Sequence, residues 1–195
     1  HVLQSKHIDS SRRIPANFSP VFTEEQIASR VKALGADISV WCDRVRQDSH
    51  TDVLAVAVMR GAIFLFADLV RRIGPSIEVA TIKTESYEPG ANGVMRPEVG
   101  VYIEKLAVKG RAVLIVDDVC DSGRTLEALE RALLERGARE VRSAVLIRRL
   151  LDVPSFVPCW VGFEYKGPEW FVGYGMDDDQ RWRNLPGVYV IKRDA

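Results

Sequence analysis

The stretch VLIVDDVCDSGRT, Val113 to Thr125, decides the architecture. Its opening residues are branched and apolar, the composition of a strand covered on both faces. They run straight into Asp117 and Asp118, then Asp121, then Ser122-Gly123-Arg124-Thr125. Buried charge needs a partner, so carboxylates at the end of a buried strand predict a ligand at that point. A helix is expected from Thr125 to Arg136, closed by Gly137, and its N-terminus offers N–H groups and a favourable dipole to an anion. The ligand that suits both halves carries a monophosphate at one end and vicinal hydroxyls at the other. Ser122, Gly123, Arg124 and Thr125 would wrap the phosphate. Asp117 and Asp118 would accept hydrogen bonds from the 2- and 3-hydroxyls of a ribose, directly or through a metal. A Walker A loop is excluded, because the position of its first glycine is Asp118, whose charge repels a triphosphate. Helix capping alone would explain one carboxylate and leave two unexplained.

Working outward, Asp52–Met59 (DVLAVAVM) reads as a second buried strand, broken by Arg60-Gly61 and followed by a helix over Ala62–Ile73. Further strands are expected at Ile77–Ile82, Val99–Ile103 and Val141–Ile147, with Ala112–Val116 carrying the opening motif. Upstream, Thr23 and Gln26 form a capping-box pair ahead of apolar residues at helical spacing: Ile27, Val31, Leu34, Ile38, Trp41 and Val45. Gly35 is expected to interrupt or weaken that helix. Strand and helix alternating in this way define an α/β fold with a largely parallel sheet flanked by helices. Ligands bind such sheets beyond the carboxyl ends of the strands, which singles out Arg60-Gly61 and Asp117–Thr125.

Composition narrows the function. The 195 residues are 47% hydrophobic and 28% charged, enough for one core, so a single domain over 1–195 is expected, with its core at about 52–150. Twenty-seven basic residues balance 27 acidic ones, leaving no field that would drive nucleic-acid or membrane binding. Cys42, Cys120 and Cys159 are widely spaced and suggest neither a zinc site nor a disulfide framework, which predicts a cytoplasmic protein. No apolar run approaches the roughly 20 residues a membrane span needs. The polar opening HVLQSKHIDSSRRIPANFSP lacks the apolar segment of a secretory leader, and its start without methionine predicts a trimmed or tagged chain. His7 and His50 have no partners at metal spacing.

VLIVDDVCDSGRT closely resembles the phosphoribosyl-diphosphate-binding motif of type I phosphoribosyltransferases. AVAVMRGAIFLFADLVRRI resembles the first strand, pyrophosphate-binding turn and helix of the hypoxanthine-guanine branch, and WFVGYGMDDDQRWRNLPGVYVI its purine-covering hood. Ser86-Tyr87 fits the Ser-Tyr pair of the family's catalytic loop. The resemblance implies a type I phosphoribosyltransferase fold, with a small hood over the purine built from about 151–195 and part of the N-terminal segment. It implies catalysis by Asp121 as general base, with Ser86 and Tyr87 closing over the reacting centre. Phosphoribosyl diphosphate would be held by Arg60, Gly61, Asp117, Asp118, Ser122, Gly123, Arg124, Thr125 and Arg183. The purine would be held by Arg148, Trp170, Phe171 and Asp177. Mg²⁺ is the implied cofactor, held on Asp177, Asp117 and Asp118 with the substrate, and the implied assembly is a dimer or tetramer.

The implied reaction is purine salvage: phosphoribosyl transfer from phosphoribosyl diphosphate to a 6-oxopurine, hypoxanthine or guanine, giving IMP or GMP. The alternatives are a phosphoribosyltransferase for xanthine or adenine, or a regulator that senses phosphoribosyl diphosphate without catalysis. Two departures bear on base choice. Arg60 and Arg148 stand where the family usually has lysine, and arginine is a longer, planar fork. The segment between Glu164 and Trp170 also carries one extra residue.

Overall fold

A computed structural model describes residues 14–83, 103, 106–152 and 156–191. In chain order the elements are β1 (Phe18–Phe22), α1 (Glu24–Ser49), β2 (Val53–Met59), α2 (Ile63–Val70), β3 (Ile77–Lys83), β4 (Ala112–Cys120), α3 (Arg124–Glu135), β5 (Glu140–Arg149), β6 (Trp160–Tyr165), β7 (Trp170–Val172) and β8 (Val188–Ile191). Five strands form a parallel sheet in the order β3-β2-β4-β5-β6. The strands β1, β8 and β7 form a separate antiparallel sheet that joins the two ends of the described chain.

The parallel strands are apolar on both faces because both faces are covered. Ala55, Leu114, Val116, Ala144 and Leu146 pack with α1 and α2, while Val56, Val113, Ile115 and Val145 pack with Leu126, Leu129 and Leu133 of α3. Thr23 caps α1 as expected, its hydroxyl accepting from Gln26 N at 3.2 Å while Thr23 N donates to Gln26 Oε1 at 2.8 Å. The expected break at Gly35 does not occur, and α1 runs unbroken for 26 residues. Gly35 lies against the chain just beyond α2: a Cβ there would meet Arg72 Cβ at 2.5 Å and Arg72 O at 2.9 Å. The glycine serves a close helix approach, and the packing gained outweighs its low helix propensity, about 1 kcal/mol.

β4 continues past the expected end at Val116, because Asp117, Val119 and Cys120 pair in register with Val145, Ile147 and Arg148 of β5. The expected strand at Val99–Ile103 lies outside the described residues except for Ile103, which is buried beside Leu54 and Val58. No helix among the described residues is long and apolar enough to cross a membrane.

Candidate active site

Sheet order places the key strand ends side by side. β2 neighbours β4, with Ala57 opposite Val116, so the Arg60-Gly61 turn that ends β2 lies beside Asp117 and Asp118. Contact there is close: a Cβ on Gly61 would stand 2.0 Å from Asp118 Oδ2. A third segment reaches the same point, since a Cβ on Gly175 would stand 2.0 Å from the Gly61 carbonyl oxygen. Gly175 has φ +104°, a conformation few side-chain-bearing residues adopt. The Met59–Arg60 peptide is cis, and the Arg60 side chain is exposed.

Asp117 is 7% exposed, and its Oδ1 accepts from Asp118 N at 2.9 Å. Burial and the neighbouring Asp118 charge push its carboxyl well above the usual carboxylate range. Asp118 is also raised by burial, but hydrogen bonds, including one from Val119 N to its Oδ1 at 2.9 Å, and the Arg183 charge pull it back. Two adjacent carboxyls, one buried and one half-buried with Arg183 the cation acting on it, constitute a site prepared for hydrogen-bond donors or a cation. The chain then turns through Asp121 and Ser122 to Gly123, which sits at the N-cap of α3 with φ +77°. Gly123 is crowded as well as left-handed, since a Cβ would meet Phe156 Cβ at 2.6 Å. Arg124 and Thr125 are exposed in the first turn of α3. Cys120, buried inside this motif, has its thiol pushed up to about 11, so it stays protonated and unreactive near neutral pH.

Asp121 projects from the end of β4 with 63% of its side chain exposed, and Arg149 Nε donates to its Oδ1 at 2.6 Å. Nothing in the local sequence pattern marks Arg149 for a role. It lies at the end of β5, where Cys120 opposite Arg148 brings Asp121 alongside it. Arg148, on the same strand, donates from Nη1 to Glu164 at 3.2 Å across the Arg148–Glu164 register pair of β5 and β6. Its Nε is buried with no hydrogen-bond partner.

The antiparallel sheet and its loops bring the remaining residues. Trp170 is 52% exposed, and its indole Nε1 donates to Asp177 O at 2.7 Å, which fixes the ring while leaving a face open. Phe171 is buried. Asp177 holds Arg183 at 2.7 Å and accepts from Gln180 N at 2.8 Å, while Arg183 Nη1 donates to Gly175 O at 2.7 Å. Arg183 thereby ties Asp177 to the glycine that touches the Gly61 turn. Asp178 and Asp179 form a turn with Arg181, with Asp179 facing solvent. Ser86 and Tyr87 lie outside the described residues.

Among the described residues, no three His, Cys, Asp or Glu side chains converge to hold a metal by themselves. Asp117, Asp118 and Asp177 do offer hard oxygen donors, the type Mg²⁺ takes one or two at a time when substrate phosphates complete its shell. The donor chemistry therefore fits a cation that arrives with a phosphorylated substrate.

A parallel sheet that delivers paired carboxylates to a glycine-led helix start, beside a second strand-end turn, is the frame of a phosphoribosyltransferase. The sequence profile of the phosphoribosyl transferase domain matches residues 25–179. Similarity continues at finer grain with the hypoxanthine-guanine phosphoribosyltransferase of Bacillus subtilis, 35% identical over 179 residues, covering 88% of this chain and 92% of that protein. The hypoxanthine phosphoribosyltransferase of Haemophilus influenzae is 37% identical over 173 residues, covering 85% of this chain and 90% of that protein. The chain belongs to the hypoxanthine-guanine phosphoribosyltransferase family. In fold it also matches the hypoxanthine phosphoribosyltransferase of Trypanosoma cruzi solved with its product IMP, with TM-score 0.76 at 24% identity over 93% of this chain and 98% of that one.

Proposed function

We propose that the enzyme transfers the phosphoribosyl group of phosphoribosyl diphosphate to hypoxanthine or guanine, giving IMP or GMP and pyrophosphate. One observation carries the reading: β4 delivers Asp117, Asp118 and Asp121 to the Gly123 turn, next to the Gly61 turn. In this reading the buried Asp117 and half-buried Asp118 carboxyls accept hydrogen bonds from the ribose hydroxyls, and the α3 start holds the 5-phosphate. Arg60 and the Gly61 backbone hold the pyrophosphate, with Arg183 tying in the Gly175 loop. The purine stacks on the open face of Trp170 below the β7 strand, as in a hood, with the Phe171 backbone at its edge and Arg148 donating to O6.

The bond from purine N9 to C1 forms as the bond from C1 to the pyrophosphate oxygen breaks, that oxygen leaving with the electron pair. Asp121 takes the proton from N7, a general-base task within reach of an exposed carboxylate. Asp117, Asp118 and Asp177 are the residues that would hold Mg²⁺ together with the substrate, and the ion would supply neutralisation of the negative charge that collects on pyrophosphate. Ser86 and Tyr87 belong to the segment assigned to close over this centre. The free state of all three cysteines suits a reducing cytoplasm. The outward apolar side chains of α2, Ile63 and Phe64, supply a surface for a homodimer or homotetramer.

The test is Mg²⁺-dependent pyrophosphate release from phosphoribosyl diphosphate with hypoxanthine, guanine, xanthine and adenine in parallel. Release with hypoxanthine or guanine and not adenine is expected. Release with xanthine or adenine alone would reassign the base. Binding of phosphoribosyl diphosphate without release for any base would identify a sensor instead of an enzyme.

A further inference from the structure

An exposed carboxylate that must meet one proton on one atom is poorly placed by default, because Asp121 with 63% of its side chain in solvent is free to turn. The structure supplies a constraint. Arg149 is only 13% exposed and donates from Nε to Asp121 Oδ1 at 2.6 Å. The rest of its guanidinium is committed elsewhere: Nη1 donates to Gly167 O, and Nη2 donates to Glu169 O at 3.1 Å. Its Cζ lies over the Phe171 ring, 4.6 Å from the centroid, and 6.0 Å from the centroid of the Tyr165 ring.

An isolated exposed ion pair contributes little, because two long side chains must be ordered to make it. Here the arginine is already ordered by two carbonyls and a ring, so the pair costs little more to form. Its effect is to hold one oxygen of Asp121, leaving the other for a purine. The two carbonyls belong to the segment between Glu164 and Trp170 that carries the extra residue, and Phe171 belongs to the strand whose backbone is assigned to the purine edge.

We propose that Arg149 is the positioning residue for Asp121, a planar clamp that holds the general base in register with the purine-binding strand. The inference rests on the phosphoribosyl-transfer reading. Lysine would not serve, since a single ammonium lacks the fork that joins Asp121 to two carbonyls while stacking on a ring. Arg149 touches neither reacting atom in this arrangement and acts through Asp121.

The test is a double-mutant cycle in the full-length enzyme, with Arg149→Met and Arg149→Lys made alone and with Asp121→Asn. Circular dichroism verifies folding, and kcat and KM are read separately for both substrates. Arg149→Met is expected to lower kcat about 10- to 100-fold, the range that small misplacement of a catalytic group costs. KM for phosphoribosyl diphosphate should stay within about twofold, since the hydrogen-bond partners of Arg149, Asp121, Gly167 and Glu169, are not among the residues assigned to hold that substrate. In the Asp121→Asn background the same substitution should lower kcat by less than about twofold, because nothing remains to position. Arg149→Lys, the milder change should methionine prevent folding, is expected to recover little of kcat. Equal losses in both backgrounds overturn the inference, as does a variant that raises KM for the purine and leaves kcat alone, or lysine rescue to wild-type kcat. Wild-type protein that releases no pyrophosphate with any purine overturns the functional reading, and this inference with it.

Discussion

Replacing Gly61 by alanine adds one methyl group to the turn between β2 and α2, 2.0 Å from Asp118 Oδ2, 2.5 Å from its Cγ and 2.9 Å from its Oδ1. Non-bonded heavy atoms prefer about 3.5 Å or more, so one partner must move by about 1.5 Å. The turn has little freedom to retreat, because the Gly175 backbone is packed against the Gly61 carbonyl. The carboxylate therefore yields. Asp118 leaves its rotamer at a cost of about 0.5 to 1.5 kcal/mol, and its hydrogen bond from Val119 N, about 1.5 to 3 kcal/mol for a charged acceptor, is lost or stretched. The sum is a destabilisation of about 2 to 4.5 kcal/mol, which lowers Tm by roughly 4 to 18 °C for a chain of this size. Thermal unfolding reads the stability, and titration calorimetry with phosphoribosyl diphosphate reads the site, where affinity should fall at least tenfold. In an Asp118→Ala background the methyl has room, so Gly61→Ala should cost less than about 1 kcal/mol. A Gly61→Ala protein that melts and binds like wild type, or equal costs in both backgrounds, would refute the contact as the cause.

Asp117→Asn should be more stable and less active. The folded state holds the Asp117 proton more tightly than the unfolded chain does, so folding binds protons and wild-type stability falls as pH rises through the raised value. The asparagine variant should gain roughly 1 to 3 kcal/mol on wild type at pH 8, a gain that shrinks as pH falls towards the ordinary carboxylate range; parallel curves of Tm against pH would count against it. Asp121→Asn should cut turnover about 10²-fold or more while phosphoribosyl-diphosphate affinity holds, checked by steady-state kinetics and calorimetry. Trp170→Ala should weaken IMP binding by about 1 to 3 kcal/mol, the range for a base stacked on an aromatic ring; unchanged affinity would put the ring outside the pocket.

Local pattern was sufficient for much of the fold. Apolar runs ending in charge at Val116-Asp117 and Met59-Arg60 located the central strands and the ends that bear ligand-binding groups, since a both-sided strand writes its burial into consecutive residues. The Thr23–Gln26 cap and the helical spacing after it placed α1. Gly35 shows where local reasoning fails: propensity predicts a weak point, whereas the glycine serves contact with Arg72, distant in sequence.

The register and the joining of distant segments belong to the tertiary structure. Pairing of Cys120 with Arg148 is what puts Arg149 against Asp121, and an arginine following an arginine at a strand end carries no sequence signal of that role. The packing of Gly175 on Gly61 brings together loops more than a hundred residues apart, and the tie from Arg183 to Asp177 and Gly175 shapes the loop that makes that contact. The sequence alone determined which chemical groups stand at the strand ends, because burial and charge are properties of neighbouring residues. Only the folded chain decided which of those groups meet, because contact between segments depends on sheet order and register, and periodicity records neither.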